Sequence, residues 1–189
     1  MPRWVFCHSK GAFTREDKEK LAKGMANIYI TFGVPGFLAH THFFEVGDDD
    51  MWSSGEPAEL NTTLSIYHAA ANIRNPDEGE HFLKAVDDVV RPVLKPKGIR
   101  WESNVYEFPR INSRLQGMKP PFFGSEMSNR WLKDNDFTEE DEEQILREQG
   151  YFVSGTFILV RVGDADRSIR MRLAGRCPRF EWSETHCWH

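Results

Sequence analysis

A strand–helix–strand pattern that occurs twice in the first 110 residues is the feature that most constrains the fold. Residues 3–8 alternate between two faces, which predicts a short strand. Thr14 is a candidate N-cap, and apolar residues then recur at helical spacing until Gly33. A second strand is predicted from Phe37 to Val46, followed by a polar loop over 47–61. The apolar stripe of this first helix consists of Leu21, Ala22, Met25, Ile28, Tyr29 and Phe32.

The second half repeats this order. A strand is predicted over 64–68, and Asn75-Pro76 with Glu78 forms a typical helix start: a cap residue, a proline at the first helical position and a glutamate three residues after the cap. Gly98 precedes a fourth strand, Ile99 to Phe108. Two tandem β-α-β units predict an α/β (α+β) fold, a four-stranded sheet with two helices on one face. The stripe of the second helix is Phe82, Ala85, Val86, Val89, Val90 and Val93.

The pattern changes after Pro109. Residues 110–136 mix glycine, proline and aromatic residues in an irregular order, which predicts an ordered loop. Thr138 begins a short, mostly solvated helix over 138–148. Tyr151 to Val162 and Arg167 to Leu173 predict two strands of a β-hairpin. We therefore expect a domain over 1–135 and a C-terminal extension over 136–189, whose role the sequence does not indicate.

Charge and cysteine content limit the compartment and the partners. Twenty-four basic and 29 acidic residues give a formal charge of −5, which provides no basic surface for nucleic acid or anionic lipid. No apolar run approaches the roughly 20 residues needed to cross a bilayer. Cys7, Cys177 and Cys187 form no CxxC motif, which favours a reducing compartment. The sequence predicts a cytoplasmic protein without nucleic-acid or membrane partners.

Pro2 is the first candidate for chemistry. Methionine before a small residue is normally excised, so the mature chain would begin with a secondary amine. An α-amino group titrates at roughly 7.7–8 in unperturbed peptides, and burial or nearby cations lower that value. Such an amine is a neutral base near neutral pH. Because many chains begin with Met-Pro for processing alone, the dipeptide by itself is weak evidence.

Several stretches carry a resemblance to a known family and together cover about residues 1–135. They are Met1-Pro2-Arg3-Trp4, Thr14 to Gly36, the strand ending in His68, Trp101-Glu102 through Glu107-x-Pro109-Arg110, Gly117, Pro120-Pro121, Gly124-Ser125-Glu126 and Trp131. This set resembles the tautomerase superfamily. It is most similar to the branch around cis-3-chloroacrylic acid dehalogenase and to a group of fungal proteins described as oxalocrotonate tautomerases.

The resemblance implies an activity and an assembly. Members use the N-terminal proline as general base or acid on small keto acids, enols or haloacrylates, bind the substrate carboxylate through one or two arginines, and assemble as trimers. Arg74 lies where the second family arginine is expected, and its forked guanidinium suits a carboxylate. The alternative is a surface arginine at a helix entry. Arg110 is a further substrate-binding candidate, or forms an ion pair with Glu107.

The chain also departs from the family pattern. The first family arginine is replaced by Ala71, and the family's aromatic hydroxyl falls on Ser103 or Asn104, which are therefore candidate substrate-binding residues. The glutamate that activates water in the dehalogenase falls near Leu115 or Gln116, so dehalogenase activity is not expected.

Tyr29 aligns with a family histidine. It is a candidate for the polar group that stabilises the enolate, although its place in the apolar stripe equally indicates a core residue.

No metal or cofactor is expected. His40 and His42 lie two residues apart on one strand face, but without a third ligand packing or hydrogen bonding is favoured. His186, Cys187 and His189 crowd the C-terminus, where a flexible polar tail is the preferred interpretation. The chain contains no GxGxxG, P-loop or HExxH motif.

The sequence thus predicts a cofactor-independent tautomerase of small keto or enol carboxylates, with Pro2, Arg74 and Tyr29 in catalysis. The alternatives are a degenerate binding or scaffold protein, or a hydratase- or dehalogenase-type lyase on unsaturated acids.

Overall fold

A computed structural model of the chain describes residues 1–69 and 73–150, with Arg110 described by its backbone alone. The predicted hairpin over 151–173, the C-terminal histidines and cysteine, and Ala71 lie outside the described residues.

Four α-helices and six strands make up the described part of the chain. They are β1 (Arg3–Ser9), α1 (Arg15–Thr31), β2 (His40–Val46), β3 (Trp52–Ser53), β4 (Glu56–Pro57), β5 (Asn61–His68), α2 (Pro76–Leu94), β6 (Arg100–Glu107), α3 (Glu126–Asp134) and α4 (Glu139–Glu148).

The main sheet has the strand order β2-β1-β5-β6. β1 runs parallel to β2 and β5 parallel to β6, because each pair is joined through a helix. The two units meet at the antiparallel pair β1–β5. This arrangement confirms the predicted α/β fold of two tandem β-α-β units. The short strands β3 and β4 form a separate hairpin inside the segment that was predicted to be a loop.

Local hydrogen bonds explain where the helices begin. The Thr14 hydroxyl accepts from the Asp17 amide (3.2 Å) while the Asp17 carboxylate accepts from the Thr14 amide (2.8 Å), a complete capping box. The Asn75 side chain accepts from the Glu78 amide (3.0 Å), with Pro76 at the first helical position. Thr138 and Asp141 form a second capping box at the start of α4. These predicted starts are confirmed.

The core lies between the helices and one face of the sheet. Alternate residues of β1 and β5 point to this face, and α1 and α2 cover it with the buried members of their stripes. Both helices therefore lie on one side of the sheet, as predicted. Phe32 differs from its prediction: it is the C-cap residue of α1 and is 63% exposed. The principal core residues are Trp4, Phe6, Leu21, Met25, Tyr29, Leu64, Ile66, Phe82, Val86, Val90 and Leu94.

The prediction of an irregular loop over 110–136 is wrong at its end, because α3 lies there. Ser125 caps this helix through the Ser128 amide (3.2 Å). Its nine residues bury only Ser128 and Trp131, too few positions to give a visible apolar period. Two other bounds also differ: β2 begins at His40 after a 3-10 turn, and β5 begins at Asn61.

A second, smaller apolar cluster is formed by Met118, Trp131 and Ile145. The Trp131 indole N–H donates to the Asp141 carboxylate (3.0 Å), which also accepts from Arg130. α4 is mostly solvated, as predicted, and buries only Asp141 and Ile145. The cluster therefore contains side chains from both sides of residue 135, the expected boundary between the domain and the C-terminal extension.

None of the helices within 1–69 and 73–150 is long and apolar enough to cross a membrane.

Candidate functional site

Pro2 lies at the start of β1, immediately before the first residue of the strand. It is buried, and its carbonyl accepts from the His40 amide (3.1 Å) at the start of β2. Side chains alternate between the two faces of a strand, so Pro2 is on the same face as Trp4, which points into the core between sheet and helices. Met1 is partly buried and packs against the same core. The residue that carries the predicted amine is therefore fixed in an enclosed position at one end of the sheet.

His68 ends the neighbouring strand β5 at the same end of the sheet. Arg3 pairs with Tyr67 in the antiparallel register, so extending that register by one residue places Pro2 opposite His68. Directly opposed residues in antiparallel strands have Cα atoms about 4.5–5.5 Å apart. The His68 side chain is only 8% exposed, and its carbonyl accepts from the Phe108 amide (2.9 Å). A histidine is thus held beside Pro2 at the edge of the core.

Tyr29 contacts this histidine from the helix layer. Its hydroxyl lies 3.2 Å from His68 Nδ1, and the Phe82 ring packs against both, with centroids 4.6 Å from His68 and 6.1 Å from Tyr29. Tyr29 is 0% exposed, as expected for a residue of the apolar stripe. Burial raises the pKa of its hydroxyl above the usual value, while the nearby Trp4 indole acts in the opposite direction. The phenol therefore keeps its proton at neutral pH.

Trp4 adds a second polar group to this region. Its ring is fully buried, and among the described residues its indole nitrogen has no hydrogen-bond partner. Such a donor costs about 1–3 kcal/mol when left unsatisfied. Nearly all other buried side-chain polar atoms in the described part are paired, His8 Nε2 being the other exception. The end of the core near Tyr29 is therefore unusually rich in polar groups.

Basic groups lie near the chain start. Partial desolvation lowers the pKa of His40 below its usual value, and repulsion by His42, Arg3 and the terminal amine lowers it further. Repulsion between charged groups is mutual, so a charged His40 in turn disfavours a charged amine at the chain start.

Arg74 lies on the surface at the entry to α2. Its side chain is 81% exposed and holds Glu78 through Nε (3.3 Å to Oε2) and a terminal nitrogen (2.7 Å to Oε1). Hydrogen bonds from the Arg74 backbone amide and guanidinium lower the pKa of the Glu78 carboxyl. The residues just before Arg74, 70–72, lie outside the described part. The described contacts therefore match the surface alternative, and none of them brings the Arg74 guanidinium to Pro2.

The other predicted residues are farther along the sheet. His68 pairs with Glu107 at the Pro2 end of β6, and Asn104 and Ser103 precede Glu107 by three and four residues. At about 3.3 Å per residue, they lie about 10–13 Å from that end of the sheet. Ser103 and Asn104 also point to opposite faces. Glu107 accepts from the Ile73 amide (2.6 Å), and the Arg110 side chain lies outside the described part.

The turn that follows β6 carries no carboxylate. Leu115 is partly buried and packs against both apolar clusters, and it bridges to Met118 across a tight turn. Gln116 and Gly117 both have positive φ (48° and 85°) in that turn. Of the two positions expected for a water-activating glutamate, Leu115 packs against the core and Gln116 is exposed in the turn.

Within the described ranges no group of three His, Cys, Asp or Glu side chains is placed to hold a metal ion. His40 and His42 are both exposed. A cavity of about 330 Å³ opens at the opposite end of the sheet, where β5 and β6 begin at Asn61 and Arg100, and it contains none of the predicted residues.

His68 is the residue that sequence reasoning missed, because it was used only to mark the end of a strand. The available signal was the alternation of side chains along the strand, which places His68 on the same core-facing side as Leu64 and Ile66. A polar side chain on that face needs a partner, and Tyr29 provides one.

Comparisons with known proteins agree with this architecture. The family described as "Putative oxalocrotonate tautomerase enzyme" matches residues 1–136. A protein described as a probable enzyme from the thermophilic fungus Aspergillus fumigatus is 35% identical, with a TM-score of 0.69 over 74% of this chain and 97% of its own. RhCC from Rhodococcus jostii RHA1 is 25% identical, with a TM-score of 0.69 over 72% of this chain and 98% of its own.

N1, a member of the cis-3-chloroacrylic acid dehalogenase family, shares the fold at 17% identity, with a TM-score of 0.56 over 70% of this chain and 99% of its own. Comparison with curated protein sequences gave no match. The resemblance to the tautomerase superfamily read from the sequence is confirmed, and the chain belongs to that superfamily, in the family described as oxalocrotonate tautomerase enzymes.

Proposed function

We propose that the protein is a cofactor-independent tautomerase of small keto or enol carboxylates, with Pro2 as the proton carrier. The observation that supports this most is the position of Pro2, buried at the start of β1 and opposite a buried histidine in the strand register. Enol–keto conversion needs a proton acceptor, an anchor for the carboxylate and a polar group for the enolate oxygen.

Excision of Met1 creates the catalytic group. It exposes the Pro2 secondary amine and removes a side chain that packs against the core beside it. In the reaction the amine takes the proton of the enol hydroxyl, the carbonyl forms as the double-bond electrons move to carbon, and the prolinium returns the proton to that carbon. Atoms and charge balance without a co-reactant. Burial of Pro2 and the charge of the adjacent Arg3 favour the neutral amine that begins this cycle.

Arg74 is our proposed carboxylate anchor. Its exposed guanidinium is paired with Glu78, which is the kind of partner that an incoming carboxylate replaces. Because the pair is largely exposed, water screens it and little stability is lost when it breaks. Tyr29 is our proposed polar group for stabilising the enolate oxygen.

We also propose that the protein assembles as a homotrimer in the cytoplasm. The sheet face opposite the helices carries exposed aromatic residues, among them Tyr67 and Tyr106, whose rings stack at 5.5 Å. Among the described residues, this exposed aromatic face is suited to contacts with other copies. Since Ser103 and Asn104 lie about 10–13 Å from the Pro2 end of the chain's own sheet, we propose that they and Arg110 bind substrate in a site completed by a neighbouring subunit.

One observation favours a second candidate, a family member that has kept the fold as a binding or scaffold protein. Arg74 is already paired in the described contacts, and Ala71 replaces the other expected arginine. A lyase on unsaturated acids has less support, because neither Leu115 nor Gln116 supplies the carboxylate that such an enzyme needs to activate water.

Ultraviolet assays of phenylenolpyruvate and 2-hydroxymuconate ketonisation test the proposal. We expect Pro2→Ala to lower kcat/KM by about 10²–10⁴, the usual contribution of general acid–base catalysis. Arg74→Ala should raise KM about tenfold to a hundredfold, the effect of losing a charged hydrogen bond of about 1.5–3 kcal/mol.

Arg91→Ala is the matched control, since Arg91, within α2, likewise pairs with a carboxylate four residues away, that of Asp87. It should leave KM unchanged. Intact mass must show loss of Met1. Retained Met1, or turnover that is indifferent to Pro2→Ala, would exclude the proline mechanism and favour the scaffold alternative.

A further inference from the structure

The proposed enolate-binding group, Tyr29, is poorly placed to meet a substrate. Its side chain is 0% exposed, and its hydroxyl is directed at His68 Nδ1, 3.2 Å away. His68 retains some exposure and stands opposite Pro2 in the strand register. The histidine, and not the tyrosine, is therefore the residue of this pair that the strand register places beside Pro2.

The hydrogen bond between these two residues determines the chemistry of the histidine ring. Because burial keeps the Tyr29 phenol protonated, the phenol can donate this hydrogen bond to His68 Nδ1. In that arrangement Nδ1 of a neutral imidazole is the acceptor and the ring proton is on Nε2. A neutral Nε2–H is suited to stabilise negative charge that develops on an enol oxygen.

The surroundings hold this ring in one orientation. The Phe82 ring packs on His68 at 4.6 Å between centroids, and the Phe108 amide fixes the His68 backbone through its carbonyl (2.9 Å). A group fixed in this way needs little reorganisation during a reaction.

We infer that His68 is a catalytic residue of the Pro2 site: its Nε2–H binds the enol oxygen of the substrate, and Tyr29 is a positioning residue that holds the ring through Nδ1. This inference rests on the proposed function. It assigns His68 no proton transfer, since Pro2 carries the proton in both steps.

Two substitutions separate the roles of the ring nitrogens. His68→Asn keeps a polar atom near Nδ1 and loses Nε2, whereas His68→Gln places its amide near Nε2. We expect His68→Asn to lower kcat about tenfold to a hundredfold with KM changed less than about threefold, because the contact strengthens in the transition state. His68→Gln should retain more activity. Tyr29→Phe should lower kcat less than His68→Asn and add nothing to it in the double variant.

His8→Asn is the control for a purely structural effect. His8 is a buried histidine on the same face of the sheet, and its Nδ1 lies 2.9 Å from the Ser9 carbonyl. It should lose stability without losing kcat. Equal kcat in wild type, His68→Asn and His68→Gln, all folded by circular dichroism, would overturn the inference.

A second readout does not depend on turnover. In ¹⁵N-histidine-labelled protein, long-range ¹H–¹⁵N spectra should show His68 protonated at Nε2, and Tyr29→Phe should disturb that tautomer. Titration with phenylpyruvate should shift the His68 Nε2 resonance. A proton on Nδ1, or no shift with phenylpyruvate, contradicts the inference. If wild type shows this tautomer and this shift but no turnover, the proposed function fails while the assigned contact stands.

Discussion

Asp17 shows how one residue serves two parts of the molecule. It is only 7% exposed, completes the capping box of α1 and forms an ion pair with Lys97 in the turn after α2. Burial alone would raise its pKa, but hydrogen bonds from Lys97 and Thr14 outweigh burial and hold the pKa below the usual value. A carboxylate with a lowered pKa stabilises the fold above its unfolded pKa of about 3.9, and this stabilisation is lost as pH falls through the folded pKa.

We therefore predict that Asp17→Asn lowers the free energy of unfolding by about 1–3 kcal/mol at pH 7. The difference from wild type should shrink below about pH 4, where the wild-type carboxyl also becomes neutral. Urea denaturation between pH 3 and 7 measures both effects. Glu19→Gln, an exposed change in the same helix, should have little effect. A deficit of the same size at pH 3 and pH 7 would show that the carboxylate charge is not responsible.

At the scale of the elements, Gly24 sets how closely α1 and α2 approach. A Cβ at this position would lie 2.5 Å from Val89 Cγ1 and 3.0 Å from Cγ2. Valine is confined to one χ1 rotamer in a helix, so it cannot easily turn away. Glycine costs helix stability but is retained here because the second helix occupies the space that a side chain would need.

Gly24→Ala should therefore lower stability by about 1–3 kcal/mol, the usual cost of overpacking, despite a gain of about 1 kcal/mol in helix propensity. Val89→Ala in the same chain should relieve the clash, so that the double variant is more stable than the sum of the single changes indicates.

Gly79→Ala in α2 is the matched control, because its Cβ would meet Ile73 at an ordinary 3.4 Å. Thermal unfolding should place it at or above wild type. If Gly24→Ala is stabilising, the close approach of α1 and α2 is not a constraint.

At the scale of the whole molecule, the two faces of the sheet differ in their partners. The helices cover one face, while the other exposes 41% of Tyr67 and 49% of Tyr106. Contiguous exposed aromatic residues on one face are typical of an interaction surface. Our proposal of a trimer assigns this face to contacts between copies.

We predict that light scattering of the purified protein gives the mass of three 21.9-kDa chains. Tyr106→Lys should shift the mass towards one chain, because it buries an unpaired charge in the interface. Phe32→Lys is the control, since Phe32 is 63% exposed at the end of α1 and away from that sheet face. A monomeric wild type, or a trimer that is unaffected by Tyr106→Lys, argues against this interface.

The amino-acid sequence alone determined the elements whose stabilising interactions are local. Capping by Thr14, Asn75 and Thr138 acts over three residues, and the apolar periods of α1 and α2 recur within each helix. The helix starts and the buried helix faces could therefore be predicted from the sequence. The proposed role of Pro2 could also be inferred from the sequence, because it depends on the residue type and on its position directly after Met1.

The tertiary structure decided what depends on distant contacts. Tyr29 and His68 are separated by 39 residues, and only the register of β1 with β5 places His68 opposite Pro2. α3 forms because Trp131 packs on Phe37 and binds Asp141, contacts that no local period reveals. A side chain's neighbours in space follow from strand register and packing, which a linear pattern does not encode.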